Sequence, residues 1–219
     1  EVGDLRGGVM GSYSMSTSGV ETETGTAGLQ GSAYSGGVYA TWASDGAYID
    51  AVGQYGYSDW TFSPTAASDL TINGHTALAA LEAGVRLGDE HASLTPWSQM
   101  VWQSTAFDGL DSNWVDNADF VDSESLHLRG GLRAEGSIGG FAPYLDLSVS
   151  HDLHERKTVT VDGFDFATGM GGTRAELGAG FQADISENVK IWSQVKGAYG
   201  IGDGTVVGYQ GQAGMSASW

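Results

Sequence analysis

The 219-residue chain sets 9 Lys and Arg against 27 Asp and Glu, a formal net charge of −18, which excludes a nucleic-acid partner because the electrostatic term toward a polyanion is repulsive. It has no cysteine, so disulfides, thiolate metal sites and cysteine nucleophiles are excluded too. Its 35 glycines, 3 prolines and 16% charged residues fit neither disorder nor an ordinary soluble domain, in which about a quarter of residues are charged.

No uninterrupted apolar run reaches the roughly 18 residues that a membrane-spanning helix needs. A closed β-barrel is then the remaining way to satisfy every backbone polar group in lipid. No signal peptide is expected at Glu1, which opens a polar, glycine-rich segment.

Period-2 alternation predicts strands over about 5–14, 33–43, 46–60, 75–88, 92–104, 123–137, 141–153, 173–185, 188–200 and 205–219. In the hairpin "GVYATWASDGAYIDAVGQYGYSDW", Ala47, Ile49, Ala51, Gly53, Tyr55 and Tyr57 share one face, and Tyr48, Asp50, Gln54, Gly56 and Ser58 share the other. "HTALAALEAGVRLG" competes as a helix, but Gly84 in mid-run favours a strand. Over 123–137, Leu126, Leu128, Gly130, Leu132 and Ala134 alternate with His127, Arg129, Gly131, Arg133 and Glu135. A dry core would not hold that second set, so a solvated lumen is expected. Strand 173–185 repeats the pattern, with Ala175, Leu177, Ala179, Phe181 and Ala183 outward and Arg174, Glu176, Gln182 and Asp184 inward.

Arg86, Arg129, Arg133, Arg174 and Lys196 all fall on the inward face, where Asp50, Glu82, Asp146 and Glu176 are candidate partners. The expected lumen lining along a transport path is Asp50, Glu82, Arg86, Arg129, Arg133, Arg174 and Glu176. Trp42, Tyr57, Trp60, Trp102, Tyr199 and Trp219 lie near strand ends, where amphipathic rings suit the headgroup level. Inward glycines such as Gly56, Gly84, Gly131, Gly178, Gly180 and Gly208 are expected to shape the wall.

Connections alternate between short and long. Short turns are expected near 43–47, 88–93, 136–141 and 184–189, and long polar loops near 14–32, 61–74, 105–122 and 153–172. Tight turns at one end and long loops at the other are the signature of an outer-membrane barrel.

Two polar clusters read as solvated loops. "HDLHER" places His151 and Asp152 on opposite faces of the alternation, which fails the geometry of a general base. "DGLDSNWVDNAD" offers hard oxygen ligands without the spacing of a calcium loop. No nucleophile elbow, phosphate loop or zinc helix is found. Neither catalytic residues, nor a metal, nor a cofactor is expected.

In order, "GVYATW", "GAYIDAVGQYGY", "LEAGVRLG", "LTPWSQMVWQ", "LHLRGGLRAE" and "APYLDLSVSHD" resemble the translocator β-domain of autotransporters, the type V secretion proteins of Gram-negative outer membranes. The resemblance implies an all-β, antiparallel, up-and-down barrel of twelve strands, about ten of them here. Residues 1–219 would be one translocator domain that lacks the pore helix and first strands. Either an upstream piece completes the ring, or ten strands close it, or further strands are present.

The ending "GYQGQAGMSASW" resembles the signal read by the barrel assembly machinery, carried by Tyr209, Met215 and Trp219; Trp219 reads equally as an interfacial anchor. The implied function is secretion and surface anchoring of an N-terminal passenger. The implied partners are outer-membrane lipid and lipopolysaccharide, the assembly machinery and the passenger segment. A porin-like or adhesin-like barrel without a passenger, and an outer-membrane hydrolase, are the alternatives.

Overall fold

A computed structural model describes residues 3–22, 25–64, 69–89, 91–107, 123–153, 157–161, 164–168, 172–186, 188–201 and 207–217. Nearly all of them are strand: β1 (Asp4–Thr22), β2 (Gly25–Ser44), β3 (Ala47–Pro64), β4 (Leu70–Val85), β5 (Leu87–Gly88), β6 (Ala92–Phe107), β7 (Ser123–Gly136), β8 (Phe141–Asp152), β9 (Lys157–Val161), β10 (Phe164–Thr168), β11 (Gly172–Ser186), β12 (Val189–Ile201) and β13 (Val207–Ala217). The run with Gly84 is strand, in β4 to Val85 and then in β5.

Ten strands pair antiparallel in the order β1-β2-β3-β4-β6-β7-β8-β11-β12-β13, with β5 against β6, and β9 pairs with β10 in a separate hairpin. The large sheet curls into a half-barrel. Among the described residues β1 pairs only with β2 and β13 only with β12, so the sheet has two open edges.

The register sorts side chains by row. One row runs Arg6, Thr41, Asp50, Glu82, Gln99, Arg129, Ser150, Arg174 from β1 to β11. One residue along each strand, the adjacent row runs Leu5, Trp42, Ile49, Ala83, Ser98, Gly130, Val149, Ala175, Tyr199. Because side chains alternate across a strand, the two rows lie on opposite faces. The polar face is the concave one, since its side chains make contacts that skip a strand: Arg129 on β7 reaches Glu176 on β11 over β8, and Trp97 on β6 reaches Asp146 on β8 over β7.

Burial inverts the pattern of a soluble fold. Asp146 and Ser148 are 2% exposed and Ser150 4%, while Leu147 and Leu177 are 56% and 55% exposed. Trp97 is the single large apolar side chain that becomes buried among the described residues. An apolar exterior of this extent requires a non-aqueous surround.

Two short turns have the backbone that tight hairpins demand. Asp45 and Gly46 (φ 48° and 83°) and Gly139 and Gly140 (φ 58° and 83°) are both left-handed pairs, the type I′ geometry whose twist matches the flanking strands. Asp89 shapes a third turn, where its carboxylate accepts the amides of Ala92 (3.0 Å) and His91 (2.8 Å), which hold its pKa below the usual carboxylate value.

At the other end the structure corrects the expected loops. The segment 14–32 is mostly ladder, because β1 and β2 stay in register to Thr22 opposite Gly25. Likewise β3 runs to Pro64 and β4 begins at Leu70, and β9 and β10 occupy part of 153–172. Strands of 19, 20 and 18 residues far exceed the roughly 9–11 needed to cross a bilayer, so this side of the sheet stands above the lipid.

Inward glycines serve aromatic rings. Gly8, Gly31, Gly84, Gly180 and Gly214 each lie directly opposite Tyr39, Trp60, Tyr48, Tyr144 and Trp192, whose rings fill the place a Cβ would take. Trp60, expected at the lipid interface, instead lies on the inner face over Gly31. Pressed flat on glycine, these rings leave the bore open.

Two substitutions test this arrangement. Leu147, flanked in register by Leu132 and Leu177, should not tolerate Leu147→Arg, because a cation near mid-bilayer costs about 2–4 kcal/mol; loss of heat-modifiable migration on gels is the expected result. At Gly131 a Cβ would lie 2.6 Å from the Leu147 carbonyl oxygen and 3.0 Å from the Trp97 ring. Gly131→Ala is expected to cost about 1–3 kcal/mol through overpacking, seen as a lower urea midpoint.

Candidate functional site: the concave wall

The concave face carries a continuous polar network built by the register. On β3, Tyr48 donates its hydroxyl to Glu82 of β4 (2.8 Å), and Gln99 of β6 donates to the other oxygen of the same carboxylate (2.9 Å). Arg129 of β7 donates to Gln99 (3.1 Å) and, across β8, to Glu176 of β11 (2.7 Å). Lys196 of β12 approaches the same Glu176 oxygen at 3.3 Å, and Ser150 donates to the second oxygen at 3.0 Å. Seven strands, β3, β4, β6, β7, β8, β11 and β12, are thereby tied through side chains as well as through the backbone ladder.

A second cluster lies nearer the short turns. Asp146 accepts from the Trp97 indole (3.1 Å) and from Arg133 (3.3 Å), whose guanidinium also lies 5.2 Å above the Tyr144 ring. Arg86 is 4.0 Å from Glu135. A cavity of about 450 Å³ opens here, lined by Tyr48, Asp50, Glu82, Arg86, Arg133 and Glu135. A second cavity of about 390 Å³ lies toward the long-strand end, lined by His127, Arg129, Ser150, Arg174, Glu176 and Lys196.

All seven residues expected to line the lumen therefore border one or other cavity. Their pairing is specific: Arg129 with Glu176, Arg133 with Asp146, and Arg86 with Glu135 rather than with Glu82 or Asp50. Trp97, Gln99 and Ser150 are not among the expected lining residues, and Tyr48 is expected only as a member of the Asp50 face. Parity alone places them inward; their partners depend on which strands neighbour across a skipped one.

At the rim, His151 turns outward and bonds Thr173 (3.0 Å), while Asp152 lies inward 3.5 Å from His127. They do not converge on one point, and His154 of "HDLHER" and the acidic segment 108–119 lie outside the described residues. Among the described residues no cluster of three metal-ligating side chains occurs. Of the expected assembly signal, Tyr209 and Met215 are outward and 88% and 70% exposed; Trp219 is outside the described residues.

A family model described as autotransporter beta-domain matches residues 2–196. Relatives include the autotransporter adhesin/invasin TibA of Escherichia coli O78:H11 (strain H10407 / ETEC), 29% identical over 178 residues, with 74% of this chain and 17% of TibA covered. The autotransporter CRAC of Citrobacter rodentium (strain ICC168) is 27% identical over 198 residues, with 82% of this chain and 12% of CRAC covered. The chain thus spans less than a fifth of either. Among solved structures, the transport unit of the autotransporter AIDA-I from Escherichia coli superposes with a TM-score of 0.74 at 21% identity, covering 100% of this chain and 77% of that one. The translocator domain of NalP from Neisseria meningitidis gives 0.70 at 17% identity, covering 96% and 82%.

Glu176 is the node of the network, so Glu176→Gln tests it. The variant leaves Arg129 and Lys196 without their shared carboxylate and is expected to cost about 1–3 kcal/mol, read as a lower denaturant midpoint in detergent. Channel reversal potentials should move toward anion selectivity. An unchanged midpoint and selectivity would show that the node carries neither stability nor field.

Proposed function

The chain belongs to the autotransporter β-domain family, and from that premise we propose that it conducts an N-terminal passenger across the outer membrane and then holds it at the cell surface. The domain is an outer-membrane translocator barrel of a Gram-negative bacterium. Its passenger, that segment's route and its partners are what the proposal adds.

The carrying observation is the inverted wall, with buried Asp146, Ser148 and Ser150 facing the bore and exposed Leu145, Leu147 and Val149 facing out on the same strand. A bore of hydroxyls, amides and paired charges gives a passing segment hydrogen-bonding surface without an apolar patch to arrest it. The lining proposed for that path is Asp50, Glu82, Arg86, Arg129, Arg133, Arg174 and Glu176. The wall supplies no bond chemistry; folding of the passenger outside would bias movement outward.

Residues 1–219 act as one translocator unit. The unpaired edges of β1 and β13 cannot stay open in lipid, where each unsatisfied backbone group costs several kcal/mol. We assign their closure to further strands of the same parent chain, in keeping with the 77% and 82% coverage of the two solved translocators. Tyr209, Met215 and Trp219 would present the terminal strand to the assembly machinery. The outward apolar rows meet lipid, and the outer rim meets lipopolysaccharide.

In intact cells, an epitope fused ahead of the full-length chain should become accessible to external antibody. An epitope that stays periplasmic beside a folded, heat-modifiable barrel overturns the passenger reading.

A further inference from the structure

The cavity in the long-strand half of the bore has a charge imbalance that the network does not resolve. Three cations line it, Arg129, Arg174 and Lys196, against one carboxylate, Glu176. That carboxylate is fully engaged: Arg129 (2.7 Å) and Lys196 (3.3 Å) share one oxygen and Ser150 (3.0 Å) takes the other. Arg174 lies two residues from Glu176 on the same face of β11, opposite Ser150. Among the described residues no carboxylate comes within ion-pairing distance of it, and its Nε is buried without a hydrogen-bond partner, as is the Nε of Arg129. His127, also on the lining, faces Asp152 at 3.5 Å. With Asp152 counted beside Glu176 and His127 neutral, one positive charge is left over, that of Arg174, and in a chain of net charge −18 a local positive surplus is the reverse of the average.

Planar guanidinium groups donate in a fork that fits two oxygens of one acceptor. Confined like charges without a counter-charge repel, and a concave, partly dehydrated wall strengthens that field. The cheapest neutralisation is an anion with several acceptor oxygens seated among the three cations.

We propose that this cavity is an oxyanion site, in which Arg174, supported by Lys196 and Arg129, binds a carboxylate or phosphate group in the outer half of the bore. The proposal does not require a passenger. A carboxylate could arrive on an acidic side chain of a segment within the bore; a phosphate could arrive free from solution.

The test uses the full-length protein folded in detergent at low ionic strength, titrated calorimetrically with inorganic phosphate. Binding is expected, weakened about tenfold by Arg174→Gln through loss of a charge-assisted contact, weakened likewise by Lys196→Gln, and unchanged by Lys190→Gln at the opposite end of β12. In parallel, surface display is followed in cells carrying Arg174→Glu, with heat-modifiability as the folding control. Phosphate binding with normal display identifies a free anion. Slowed display, restored by an acidic-to-lysine change in a bore-occupying segment, identifies a peptide carboxylate. No phosphate binding together with normal display in Arg174→Glu overturns the proposal, as does phosphate binding that neither Arg174→Gln nor Lys196→Gln weakens. Because the calorimetric arm involves no translocation, a failed passenger reading leaves its result standing.

Discussion

Every backbone polar group that enters lipid must find its partner within the protein, and the long antiparallel ladder meets this requirement on both sides for the eight strands between β1 and β13 and on one side for those two. Once the ladder is fixed, side chains have only two destinations. Alternation sends Leu145, Leu147 and Val149 to one solvent and Tyr144, Asp146, Ser148 and Ser150 to the other. The charged bore is thus a consequence of the same ladder that makes the exterior apolar. A slip of one residue would exchange the two sets along a whole strand, so the faces also lock the register.

That coupling explains which parts were legible in the sequence. Parity was readable because it needs only neighbours in the chain: Arg86, Arg129, Arg133, Arg174 and Lys196 could be placed inward without knowing any strand's partner. Pairing was not readable, because Arg129 meets Glu176 over an intervening strand and Trp97 meets Asp146 in the same way. Such contacts depend on curvature. The extent of β1 and β2 was missed for a different reason. Beyond Met15 the hairpin is rich in Ser, Thr and Gly, which weakens the alternation signal where both faces meet water, while the backbone ladder continues regardless. Trp60 was misplaced because nearness to a strand end suggested an interface, whereas its parity and the facing Gly31 put it inside.

The glycine count that first marked the chain as unusual has a comparable origin. An inward aromatic ring projecting into the bore would narrow it, and an inward residue with a Cβ opposite that ring would force it to project. Glycine opposite Tyr39, Tyr48, Trp60, Tyr144 and Trp192 lets each ring lie along the wall. The tyrosine and tryptophan polar atoms then stay available: Tyr48 reaches Glu82, while Trp97, against Gly131, reaches Asp146. Wall thickness, bore width and polarity are set by the same pairs.

The side-chain network is unevenly distributed over the half-barrel. From β3 to β12 it runs through charged and amide groups, whereas on β1 and β2 the inner face carries Asp4 and Arg6 near the short-turn end and beyond them groups such as Gly8, Ser12, Ser35 and Gly37, with hydroxyl contacts such as Ser12 with Ser35. Ion pairs between separate strands resist shear and changes of curvature, because moving one strand leaves a charge unpaired against a low-dielectric wall. Small hydroxyls resist far less. The stiff arc therefore holds the two cavities and their field at fixed positions, while the arc of β1 and β2 gains its order chiefly from a longer ladder. Length on one side and charge on the other are two solutions to the same requirement, that a curved sheet keep its shape around an aqueous bore.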